Sequence, residues 1–155
     1  EVILWLLASR CHVCCKLGIL VCLLLNTGKL DEEEWKGMQS NSQIGAYILI
    51  GGNSDLMIMA HEIALTHHEK WDGSGYPNGL KGEDIPLSGR VSALADVFDA
   101  LTSERPYKKA WSVEDAMDLI RSESGKQFEP RLVELLDVKL PKVLEIKEKY
   151  AETGE

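Results

Sequence analysis

The stretch His67-His68-Glu69-Lys70-Trp71-Asp72-Gly73-Ser74-Gly75-Tyr76-Pro77 joins two adjacent imidazoles and a carboxylate to a glycine-dense loop. Neutral imidazole is the commonest side-chain metal ligand. Neighbours on a helix diverge by roughly 100°, so His67 and His68 do not chelate one ion in the same way. They are placed to serve two metals, or a metal and a phosphate, where a helix ends. Gly73, Gly75, Gly79 and Gly82 allow positive φ and close approach of backbone to a ligand. Pro77-Asn78-Gly79 reads as a turn within the loop, because Pro presets φ and Asn or Gly accepts a left-handed step. A helix C-cap followed by a long surface loop accounts for the same residues, and on this stretch alone both readings stand.

Working outward, the chain reads as consecutive helices. Asp31 with Glu34 three residues later forms a capping-box pattern, opening a helix to about Ile50. Gly51-Gly52-Asn53 breaks it, and Ser54 is placed to cap the helix that leads to the histidine pair. Beyond the loop, Ser88 precedes Val91, Leu94, Ala95, Phe98 and Leu101 at helical spacing. Ser112 with Asp115 opens another helix that ends near Gly125. Pro130 suits a first helical turn before Leu132, Val133, Leu135 and Leu136. A separate, mostly solvated helix is expected from roughly Pro141 to Ala151. Strand-like alternation and internal repeats are absent from the pattern, so the expected fold class is all-α.

With 155 residues, 45% of them apolar and 27% charged, the chain has the profile of one soluble domain with a real core. Its net charge of −8 argues against a nucleic-acid polymer as partner. A phosphate ligand therefore needs a local basic pocket or metal ions. Charge is uneven: residues 1–30 carry Arg10, Lys16 and Lys29 against Glu1, a balance of +2 that leaves −10 for the rest. The opening Glu1 points to a piece of something longer.

Residues 2–8 and Leu17 to Leu25 are strongly apolar, but Arg10, His12 and Lys16 interrupt them, so no run reaches the ~20 residues that span a bilayer. A buried helix is the preferred reading, and a membrane-associated segment of a longer parent the alternative. Cys11, Cys14, Cys15 and Cys22 all lie here. With no second ligand pair at matching spacing, they read as buried thiols rather than a zinc site. Their bunching is unlike a disulfide framework and fits a reducing, cytoplasmic compartment.

Asp96 and Asp99 share a helix face at i,i+3. Asp96 borders the apolar stripe, where a metal or cation would relieve the cost of a buried carboxylate. Two solvated acids, or one salt bridge, are the plainer reading. Arg105-Pro106-Tyr107-Lys108-Lys109 then places three cations in five residues of an otherwise acidic chain. Arginine suits bidentate phosphate binding, although an ordinary basic turn has the same composition.

From His67 to Ala110, the text HHEKWDGSGYPNGLKGEDIPLSGRVSALADVFDALTSERPYKKA resembles the HD-GYP family of HD-domain phosphohydrolases. Weaker likeness extends through Phe128-Glu129-Pro130 and back through Gly28-Lys29-Leu30 and Ile44-Gly45. The resemblance implies a single domain over residues 1–155, an HD-domain-like helical bundle with a long Gly-rich loop. Residues 1–27 are atypical within it, 28–136 clearly similar, and 137–155 a helical extension. It also implies hydrolysis of cyclic di-GMP at a centre of divalent metals, iron or manganese foremost. A sensory or receiver domain in a longer parent is a further implied partner, and membrane association is not expected. By resemblance His67, His68, Asp96 and His12 are metal ligands and Lys16 is catalytic. Gly75, Tyr76, Pro77, Arg105 and Lys108 contact the substrate. Metal-activated water would attack phosphorus while the cations neutralise growing negative charge.

The sequence departs from the family at two positions. His12-Val13-Cys14-Cys15-Lys16 stands where the family has His-Asp-x-Gly-Lys, so Val13 replaces a metal-bridging aspartate. Asn41-Ser42 stands in place of His-Pro. Valine ligates nothing, and asparagine is a weak neutral substitute for imidazole. Two functions are therefore expected in competition. One is a cyclic di-GMP phosphodiesterase with an impaired metal centre. The other is a non-catalytic binding or interaction module that keeps the loop and the basic turn.

Overall fold

The computed structural model describes Ala8, residues 31–104 and residues 109–151, with the side chains of Met38, Asn41, Tyr150 and Ala151 left aside. The expectations placed on His12, Val13, Lys16, the cysteines, Arg105 and Lys108 fall outside the described residues. Among those described there are five α-helices and no strand: α1 Glu32–Ile48, α2 Asp55–Thr66, α3 Leu87–Thr102, α4 Val113–Ser122 and α5 Pro130–Ala151. A short 3₁₀ turn, Gly82–Asp84, interrupts the long connection between α2 and α3.

Local chemistry sets most of the helix starts. The Asp31 carboxylate accepts from the backbone N–H groups of Glu33 and Glu34 at 2.9 and 2.8 Å. The Glu34 carboxylate accepts from Asp31 N at 2.9 Å, completing the capping box. Ser54 and Ser112 cap α2 and α4 by accepting from Met57 N and Asp115 N. Each such cap is worth ~1 kcal/mol. The start of α3 differs from the sequence expectation. It begins at Leu87 behind Pro86, and Ser88 is a buried helical residue whose hydroxyl donates to the Glu62 carboxylate of α2.

Helix α5 also differs, since one helix replaces the two expected and Pro141 lies inside it. Proline removes a backbone donor and crowds the preceding turn. Tertiary packing offsets that local cost. Leu136, Leu140, Val143 and Leu144 form a stripe crossing the proline, and all pack against the core of Leu94, Phe98, Met117, Ile120, Phe128 and Val133. A second core joins α1 to α2 through Ala46, Leu49, Ala60, Ile63 and Ala64, with Ala8 fully buried among them.

Helix α2 packs on α3. A Cβ at Gly89 would lie 2.1 Å from Thr66 Oγ1 and 2.9 Å from Thr66 Cβ. Glycine is thus what lets α3 approach the last turn of α2, immediately before the histidine pair. An apolar groove of about 540 Å³ lies between α3 and α5, lined by Leu94, Phe98, Leu136, Val143 and Ile146 among others; no residue of the histidine pair or its loop lines it.

Candidate metal and phosphate site

His67 is the C-cap of α2 and His68 follows in the turn, so the pair stands at a helix end as the sequence reading anticipates. His67 is buried, at 6% exposure. Its Nδ1 lies 2.9 Å from Ile63 O and 3.1 Å from Ala64 O. Carbonyls only accept, so Nδ1 carries the proton and the ring lone pair resides on Nε2. A backbone carbonyl on one nitrogen, fixing the tautomer and turning the other into the basic donor, is the usual support of a metal-ligating histidine. The two rings lie 3.9 Å apart, tilted by 39°.

The glycine loop folds back over this pair. Tyr76 N donates to His68 O at 3.3 Å, and the Tyr76 ring stacks on His68 with centroids 4.9 Å apart and planes at 27°. Gly75 allows the approach: a Cβ there would sit 2.3 Å from Lys70 N and 2.5 Å from Glu69 Cα. Backbone atoms cannot yield to it as a flexible side chain could.

Glu69 fastens the loop from within. It is 3% exposed, and its carboxylate accepts from Asn78 N at 2.7 Å and Leu80 N at 3.1 Å. Gly79, at φ +66°, turns the chain between these two amides. Outer ties complete the frame. Trp71 N and Asp72 N donate to Gln127 O and Lys126 O, on the connection between α4 and α5. Arg90 joins α3 to that same connection through Glu129 at 2.6 Å, also donates to Ile85 O, and lies 5.8 Å from the centre of the Trp71 ring. Asp72 closes a tight turn with Ser74, whose hydroxyl and backbone N–H hold the Asp72 carboxyl below its ordinary pKa.

Asp96 and Asp99 have different surroundings. Asp99 is two-thirds exposed, accepts from the Ser103 hydroxyl at 2.8 Å and lies 3.4 Å from Lys147 Nζ. Lys147 also donates to Thr102 Oγ1 and Ser103 Oγ, both at 2.8 Å, and so ties α5 to the end of α3. Asp96 is half-buried. It stands seven residues, or about two turns, beyond Gly89 on the side of α3 that meets α2. Among the described residues, no group of three or more His, Cys, Asp or Glu is gathered closely enough to hold a metal ion. The described part of the site thus brings together His67, His68 and Tyr76.

The fit to a divalent cation is favourable at His67, whose backbone-anchored Nδ1 leaves Nε2 as the basic atom. Two features of the site were not assigned from sequence. Glu69 follows the histidines directly, and a carboxylate ahead of a loop rich in backbone N–H groups was the available signal for its role. Trp35 of α1 meets the edge or face of Tyr76 at 6.0 Å and 77°; no local pattern announces that contact.

An all-helical domain with a histidine pair at a helix end, roofed by a Gly-Tyr-Pro loop, defines a class. The HD-domain family model matches residues 20–132, and the chain belongs to that family, in its HD-GYP branch. The chain is 51% identical over 129 residues to a 3'3'-cGAMP-specific phosphodiesterase of Vibrio cholerae, an alignment covering 83% of this chain and 25% of the relative. It is 48% identical over 127 residues to a cyclic di-GMP phosphodiesterase of Thermotoga maritima, covering 82% and 34%. The crystal structure of a cyclic GMP-AMP specific phosphodiesterase of V. cholerae superposes with a TM-score of 0.57 at 28% identity, over 72% of this chain and 25% of that one. The chain therefore spans about a quarter to a third of the length of these relatives. No helix among the described residues is long and apolar enough to cross a membrane.

Proposed function

We propose that this domain acts on cyclic dinucleotides, cyclic di-GMP foremost, as a metal-dependent phosphodiesterase whose centre is weakened by Val13 and Asn41. The observation that carries the reading is the His67 ring, held through Nδ1 on two carbonyls of α2 beside a second imidazole. His67 and His68 would hold a divalent cation, iron or manganese, with Asp96 and His12 as further donors. A cation there supplies a Lewis acid and lowers the pKa of the attacking water. The chain's own residues do the rest. Arg105, Lys108 and Lys16 neutralise phosphate charge. The Gly75-Tyr76-Pro77 loop covers the histidines and bounds the substrate's space.

A second reading, a non-catalytic cyclic-dinucleotide-binding or protein-interaction module, draws support from Val13, which ligates nothing where similar proteins carry a metal-bridging aspartate. The two separate cleanly. The chain loaded with Fe²⁺ or Mn²⁺ is incubated with cyclic di-GMP and, separately, with 3'3'-cGAMP, with product chromatography and calorimetry on each. Slow metal-dependent conversion, abolished in His67→Ala, is the expected result. Binding without conversion favours the module. The absence of both binding and conversion, with either dinucleotide, contradicts the phosphodiesterase reading and the dinucleotide-binding reading alike.

A further inference from the structure

We infer that Trp35 is a positioning residue for the histidine pair, acting through Tyr76; as a statement about catalysis this rests on the function proposed above. His67 is fixed by its own helix, since its Nδ1 donates to Ile63 O and Ala64 O. His68 stands one residue further on, past the end of α2, and the rings packed against it bear on its side-chain direction. On one side is His67 at 3.9 Å, and Tyr76 stacks on it at 4.9 Å. Tyr76 in turn belongs to a loop, and Trp35 meets its ring at 6.0 Å in a T-shaped contact.

Four rings thus form a row from α1 to the buried end of α2. Edge-to-face and offset-stacked pairs are attractive beyond the area they bury and prefer defined angles. Each ring therefore constrains the orientation of the next. Trp35 comes from a helix that is separately anchored, by the Asp31–Glu34 capping box one turn before it and by the Ala46 and Leu49 core contacts further along. It is consequently a brace for the loop ring that is anchored independently of the loop. At 47% exposure it contributes little to the core, so its placement beside Tyr76 is its distinctive contact.

The test reads the His68 ring directly and needs neither metal nor nucleotide. Carbon–proton spectra of ring-labelled histidine are recorded on the full chain at a pH well above the ordinary imidazole range. A ring stacked on Tyr76 is shielded, so Trp35→Ala should move the His68 carbon-bound proton signals downfield, in the direction given by Tyr76→Ala. The double variant should add little to Tyr76→Ala, because both changes break one chain of contacts. Trp35→Phe should restore most of the parent spectrum, whereas Trp35→Leu, which keeps apolar bulk without a ring, should not. His61, whose Nδ1 lies 2.9 Å from Ala46 O of α1, is the internal check on folding.

Manganese titration supplies the second readout. Trp35→Ala and Tyr76→Ala should each weaken Mn²⁺ binding by a similar factor, roughly two- to ten-fold, with sub-additive loss in the pair. His68 signals unchanged in Trp35→Ala, or restored equally by Phe and Leu, would overturn the inference. A chain that binds no Mn²⁺ yet shows the spectral pattern would overturn the metal reading and leave the positioning role standing.

Discussion

Replacing Glu69 with Ala removes the acceptor of two loop amides at once. The carboxylate is 3% exposed and receives Asn78 N at 2.7 Å and Leu80 N at 3.1 Å. A hydrogen bond to a charged group contributes about 1.5–3 kcal/mol, more when the abandoned donor stays dry. Asn78 is exposed and its amide can recover water; Leu80 is half-buried and recovers less. The expected loss is therefore about 2–4 kcal/mol, below the sum of two full bonds. Glu69→Gln keeps one acceptor oxygen and should fall between parent and Ala. Urea unfolding monitored by tryptophan fluorescence gives the free energies, and amide exchange at Asn78 and Leu80 gives the local effect. Both amides should lose protection in Glu69→Ala, with the His68–Tyr76 stack loosened alongside. A variant within about 0.5 kcal/mol of the parent, with exchange at both amides unchanged, would refute the assignment of Glu69 as the fastener of the loop.

Gly89→Ala should destabilise the chain by about 1–3 kcal/mol through overpacking against Thr66, and Thr66→Ala in that background should recover part of the loss in thermal melts. The Arg121–Asp137 pair between α4 and α5 predicts a pH dependence. Arg121 holds the Asp137 carboxyl below its ordinary pKa, and Asp137 raises that of Arg121. The contribution is thus fully present above the unfolded carboxylate value of about 4 and lost as pH falls through the lower folded value. Arg121→Gln should differ from the parent in urea midpoint at pH 7 and converge on it below that window, by a small amount because both partners are exposed. Arg105→Ala should weaken cyclic di-GMP binding by roughly ten-fold or more, the loss of one charge-assisted contact, while Arg131→Ala on an exposed face leaves the calorimetric affinity unchanged.

The capped helix starts at Asp31, Ser54 and Ser112, the turn at Gly79 and the histidines at the end of α2 could all be read from the chain, because each depends on residues within four or five positions. Pro141 misleads for the opposite reason. Its local cost is real, and only packing of Leu136, Leu140, Val143 and Leu144 across it keeps α5 continuous. Trp35 and Tyr76 are 41 residues apart, and an aromatic ring on an otherwise acidic helix start looks like any half-solvated side chain until the loop arrives. Lys147, which reads as part of a solvated last helix, reaches 44 to 48 residues back to Ser103, Thr102 and Asp99. Long-range contacts of this kind leave no periodic trace.

The account stands most directly on the metal content and cyclic di-GMP hydrolysis of the chain beside its Val13→Asp, Asn41→His double variant. If His67 and His68 form half of a centre whose other half is chemically deficient, restoring a carboxylate and an imidazole must add donors to it. The double variant should then bind more iron or manganese by elemental analysis and hydrolyse cyclic di-GMP faster than the parent. Equal metal content in the two proteins, or brisk metal-dependent hydrolysis by the unmodified chain, would contradict it.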